Sequence, residues 1–131
     1  MISSFLLLGV LSVPSEAADA PMSIIRLSPT GPPGVGMKGD EKSREHVYYT
    51  SAQDEQVQAG VWETNPHTSA DFRETKYAEL MVFLKGSVSL VEKNGREQKF
   101  EAGEVALVPK GIEYKWKSDT VRKFWVIFDP S

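Results

Sequence analysis

The sequence predicts an all-β fold, a sandwich or a barrel. Three observations predict it. Short runs rich in β-branched and aromatic residues recur from His46 onward at roughly 8–12-residue spacing. Glycine, proline and an Asn-Gly pair punctuate them, and these are residues that reverse a strand. No window longer than ten residues carries an apolar stripe at helical period. A length of 131 residues fits one domain.

The elements follow in order. His46 to Thr50 is β-branched and aromatic, so it reads as a first strand. Gln56 to Thr64 alternates, with Val57, Ala59 and Val61 on one face and Gln58, Gly60 and Trp62 on the other. Asn65-Pro66 ends it. Ala70 to Thr75 is read as another strand, and Glu79 to Leu84 as a strongly apolar one. Lys85-Gly86 turns the chain into Ser87 to Glu92, and Asn94-Gly95 makes a hairpin with Glu97 to Glu101, because both turn residues tolerate positive φ. After Ala102-Gly103 come Val105 to Val108, Glu113 to Lys117 and Arg122 to Phe128. The inward faces are expected to carry Met81, Phe83, Val88, Leu90, Val105, Leu107, Trp125 and Ile127.

Composition narrows the function. The net charge of -3 is small, and Lys and Glu alternate without a basic stripe, which argues against nucleic acid as a partner. The absence of cysteine excludes disulfides, thiolate metal sites and a cysteine nucleophile. No glycine-rich phosphate loop, Ser-His-Asp arrangement or paired-histidine helix is present.

The N-terminal region has a different character. Met1 to Val13 is apolar, and small residues follow at Ser15 and Ala17. An apolar run this short falls well below the about 20 residues that span a bilayer. It suits a signal peptide cleaved after Ala17, although no Lys or Arg precedes it. The expectation is a periplasmic or secreted protein with no membrane contact after cleavage; an uncleaved tail would leave it cytoplasmic. Residues 18–45 form a proline- and glycine-rich arm. Met22 to Leu27 within it is read as a short strand lying over the domain or over a partner subunit of a homodimer, with the polar run from Lys38 to Glu45 as linker.

Roughly Val57 to Phe128, within a domain of residues 46–131, then shows a family resemblance. Glu79, six residues and Gly86 resemble the second half of the first cupin motif; Gly103, five residues and Pro109-Lys110-Gly111 resemble the start of the second. Gly60-Val61-Trp62-Glu63 and Trp116 resemble the small cupins related to ethanolamine-utilization cupins. The resemblance implies a cupin-type β-barrel, or double-stranded jelly roll. It also implies where a site would be. Metal-dependent cupins use His-x-His, Glu and a later His. Here those positions fall on Phe72 and Glu74, or Arg73 and Thr75, and on Tyr114, so only Glu79 survives.

The expected site is therefore the barrel mouth between Glu79 and Tyr114, with Arg73, Tyr77, Trp62 and Trp116 around it. Glu79 is the one catalytic candidate, as a general acid or base. Arg73, Thr75, Tyr77 and Glu79 share a face if the strand runs straight through Lys76. Arg73 would then clamp a carboxylate or pair with Glu79, and Glu79 is also a partner for the Tyr114 hydroxyl. The expected function is metal-independent binding of a small polar molecule, a carboxylate or a sugar, with no cofactor. The alternative is a metal-dependent cupin enzyme of isomerase, hydrolase or dioxygenase type with an atypical carboxylate-rich site, for example Glu63, His67 and Glu79. A third class is an interaction protein with a filled barrel. The plain structural readings are a solvated Arg73 and His67, and Tyr114 and Trp116 as core.

Overall fold

The computed structural model describes residues 23–29, 41–51 and 56–129. The expected signal peptide, Met1 to Ala17, and most of the arm lie outside the described residues, as does Met22. Ser23 to Leu27 has no regular structure, so the short strand expected there does not form.

Ten strands make up the described domain: β1 (Ser43–Thr50), β2 (Val57–Thr64), β3 (His67–Thr68), β4 (Arg73–Glu74), β5 (Ala78–Lys85), β6 (Ser87–Glu92), β7 (Glu97–Glu101), β8 (Val105–Val108), β9 (Glu113–Ser118) and β10 (Val121–Phe128). Among the described residues there is no helix, and the all-β expectation holds. One sheet has the order β1-β2-β10-β5-β8; the other runs β3-β9-β6-β7, with β4 also paired to β9. Every pairing is antiparallel. The strands jump between sheets, so the chain closes a double-sheet jelly roll around one interior.

Alternation decides what that interior contains, since directly paired residues share a face. Trp125 of β10 lies opposite Gly60 of β2 and Met81 of β5. Met81, Phe83, Val88, Leu90, Val108, Trp116 and Val121 form the apolar core, with Trp62, Phe100, Ile112 and Tyr114 packed against it. The β2 alternation is as expected: Gln58, Gly60 and Trp62 face inward beside Ile127, Trp125 and Lys123.

Three readings are corrected. Val105 and Leu107 point outward, 52 % and 60 % exposed. β8 pairs Met81 with Ala106 and Glu79 with Val108, so Ala106 and Val108 take the inward positions. Val-Ala-Leu-Val is apolar at every place, and its phase becomes legible only through its partner strand. Of the continuous strand expected over Ala70 to Thr75 only Arg73–Glu74, β4, is formed; with His67–Thr68, β3, it pairs with β9 in the second sheet. β1 begins at Ser43, three residues before His46 and inside the run read as linker, because Ser43, Arg44 and Glu45 find ladder partners in Thr64, Glu63 and Trp62.

Two glycines set the shape. At Gly60 a Cβ would collide with the His46 carbonyl and stand 2.8 Å from Trp125 Cζ2, so the missing side chain is what seats the Trp125 ring. Gly86 has φ 81° and a Cβ there would overlap the Thr120 carbonyl. Gly103 has a similar φ of 94° with open space around it. The pair separates backbone strain from crowding. Gly103→Ala is expected to destabilise by about 1–2 kcal/mol, the left-handed cost alone. Gly86→Ala adds overpacking and is expected to destabilise by about 2–5 kcal/mol. Urea unfolding of both variants measures this, and equal losses would contradict the assigned crowding.

Candidate functional site

The jelly roll leaves a cavity of about 460 Å³ at one end. All six residues expected at the site line it: Trp62 from β2, Arg73 from β4, Tyr77 from the bend before β5, Glu79 from β5, and Tyr114 and Trp116 from β9. The premise for grouping them differs from the finding. The chain bends at Lys76 and Tyr77, so Arg73 belongs to the second sheet and Glu79 to the first. Their shared cavity comes from the two sheets closing, not from a common strand face.

Glu79 does not pair with Arg73. Its carboxylate is 5 % exposed, and its Oε2 accepts a hydrogen bond of 3.0 Å from the Lys123 ammonium. Lys123 is 1 % exposed. It leaves the inward face of β10, and its Nζ stands 3.1 Å from Met81 Sδ, 4.8 Å from the Trp116 ring centre and 5.0 Å from that of Trp62. The two indoles meet edge to face, 5.2 Å apart at 89°. Their negative faces attract a cation. Trp116 Nε1 donates to Ser118 Oγ at 2.7 Å, which fixes one wall of this box.

The electrostatics follow from burial. Loss of hydration pushes the Lys123 ammonium below its ordinary value of 10.5, opposed by the charges of Glu79 and Glu45 and by the Glu79 hydrogen bond. The Tyr114 hydroxyl is raised well above the usual phenol range, first by burial and then by the Glu79 charge. Tyr114 therefore presents a proton, never an oxyanion, to the cavity at neutral pH. An ammonium has three N–H donors. Glu79 and the weak thioether of Met81 take two. Trp125 also lines the cavity, and its buried Nε1 has no acceptor.

The described residues do not group as a metal donor set. Glu63 lies on the opposite face of β2 from Trp62, bound to Arg122 at 2.8 Å, so Glu63, His67 and Glu79 do not converge. His67 is exposed at the cavity rim. Phe72 lies under Lys115, 4.5 Å from ring centre to Nζ. The one motif carboxylate, Glu79, already holds a cation. Among the described residues no three His, Asp or Glu side chains group as metal ligands.

Arg73 is exposed on β4, where its backbone pairs with Tyr114, so it stands at the rim. Tyr77 is half-buried beside it. The group that sequence reasoning missed is Lys123. A signal was present: Trp125 and Ile127 face inward, and a period of two places Lys123 with them.

An all-β double sheet with a polar pocket at its open end is the architecture of a small cupin. The chain belongs to the EutQ-like cupin domain family, which matches residues 51–125. The EutQ protein of Clostridium difficile superposes with a TM-score of 0.58 at 19 % identity, covering 66 % of this chain and 68 % of that one. A cupin superfamily protein of Desulfitobacterium hafniense DCB-2 gives 0.60 at 11 % identity, covering 72 % and 84 %. A protein of unknown function from Pseudomonas syringae pv. tomato gives 0.61 at 26 % identity over 81 % of this chain, which spans only 45 % of that protein. No curated protein matches the chain.

The ion pair makes a clear prediction. Lys123→Met alone strands a buried carboxylate, and Glu79→Gln alone strands a buried ammonium; each is expected to destabilise by about 3–5 kcal/mol. The double variant E79Q/K123M removes both charges and is expected within about 1 kcal/mol of the parent. A denaturant-unfolding cycle checks it; additive losses would show that the two groups do not interact.

Proposed function

We propose that the protein binds a small anionic molecule in the barrel mouth and needs no metal to do so. The observation that carries this reading is the Lys123 ammonium, a fixed cation at the cavity wall that is hydrogen-bonded to the Glu79 carboxylate. A ligand carboxylate would complete its hydrogen bonding and compete with Glu79 for it. The protonated Tyr114 hydroxyl adds a neutral donor in the same cavity. A ligand carboxylate suits an ammonium better than a neutral sugar hydroxyl does. The volume, about 460 Å³, lies within the range of small-ligand sites. Lys123 also argues against the metal-enzyme alternative, because a divalent ion on Glu79 would first have to expel a buried ammonium.

Exposure changes what each group is expected to contribute. Arg73 is at the rim, where an ion pair is worth about 0–1 kcal/mol, so Arg73→Ala should weaken binding slightly and make it less sensitive to salt. Tyr114→Phe should weaken it by about 0.5–1.5 kcal/mol. E79Q/K123M should abolish it. Thermal-shift titration with small carboxylates, from acetate to citrate, supplies the ligand and the affinities. Hits that bind equally well to E79Q/K123M and Tyr114→Phe would place the site elsewhere.

A further inference from the structure

We infer that Lys123 is a covalent site: its amine condenses with small carbonyl compounds, best of all 2-oxo acids, to form an imine within the barrel. The inference rests on the preceding reading only in requiring that the cavity admit a small molecule.

The geometry supplies what the chemistry needs. A nucleophilic amine must be deprotonated, must face a cavity and must have a proton acceptor within reach. Lys123 lines the cavity and Glu79 Oε2 is 3.0 Å from its Nζ. Burial among Trp62, Trp116 and Met81 disfavours the ammonium. The step balances without a redox partner. Glu79 takes a proton from the ammonium, and the nitrogen lone pair forms a C–N bond to the carbonyl carbon. The carbonyl oxygen takes the second proton from the nitrogen to give a carbinolamine, and the hydroxyl leaves as water with the proton returned by Glu79. The product is a protonated imine, C=NH+, plus one water, with the Glu79 carboxylate restored beside it. A 2-oxo acid offers both the electrophilic carbon and a carboxylate. The tryptophan walls limit access of the water that would hydrolyse the imine.

The other described lysines differ in setting. None is buried, and they line no comparable wall except Lys42 and Lys76, both exposed at the cavity rim.

Incubation with glyoxylate, pyruvate or propionaldehyde and cyanoborohydride at neutral pH, followed by peptide mass spectrometry, reads the site directly. The expected result is reductive alkylation of Lys123 at least about tenfold faster than of any other lysine, with glyoxylate ahead of propionaldehyde. Lys123→Arg keeps the cation but lacks a nucleophilic amine, so it should retain carboxylate-induced thermal shifts and lose the adduct. E79Q/K123M, in which neither charge remains to be stranded, should lose both. Adducts spread evenly over surface lysines, at the same rate in the parent and in E79Q/K123M, would overturn the inference. Thermal shifts without a Lys123 adduct would overturn it and leave anion binding standing. Neither shift nor adduct would overturn both.

Discussion

A buried charge pair, Lys123 to Glu79, is the constraint on which the rest of this barrel depends. Each ion alone is costly to take out of water, by several kcal/mol even after relaxation. Together they offset much of that cost only while the 3.0 Å contact holds. The strands that carry them, β10 and β5, are neighbours at the middle of the first sheet. The two strands must therefore keep their register, because a one-residue slip of either would turn its own charge to the outer face and leave the other buried alone. The pair rewards one register strongly and penalises its neighbours. A Leu–Leu contact would not discriminate so sharply, because it tolerates sliding.

The surroundings are built to hold a cation. Trp62 and Trp116 come from different sheets and meet over the Lys123 Nζ, so the box exists only when the jelly roll has closed. Gly60 leaves room for the Trp125 ring beside it. Core, ion pair and cavity wall are thus one construction: Met81 packs in the apolar core and also touches the ammonium through its sulfur. A polar interior of this kind is less stabilising than an apolar one of equal volume.

Much of the fold was legible in the sequence because turns are chemically explicit. Gly86, Gly95, Gly103 and Gly111 all adopt positive φ, as their placement after strand runs suggested. The barrel-mouth residues were legible through motif spacing, and Glu79, Tyr114, Trp62 and Trp116 do share one cavity. What was not legible has physical reasons. Val105 to Val108 is apolar throughout, so nothing local fixes its phase. β3 and β4 are two residues each and take their pairing from β9 rather than from their own pattern. Pairing of Arg73 with Glu79 required one straight strand through Lys76, and the chain bends there. Lys123 is 44 residues away and comes into contact only through sheet order.

The account stands or falls on the state of one amine among ten lysines. A nitrogen-detected NMR titration of the lysine side chains measures it, with the Lys123 signal assigned by its loss in E79Q/K123M. The account predicts one amine that titrates below the ordinary 10.5 and whose ammonium protons exchange slowly with water. Ten amines titrating together near that value, all in fast exchange, would contradict it.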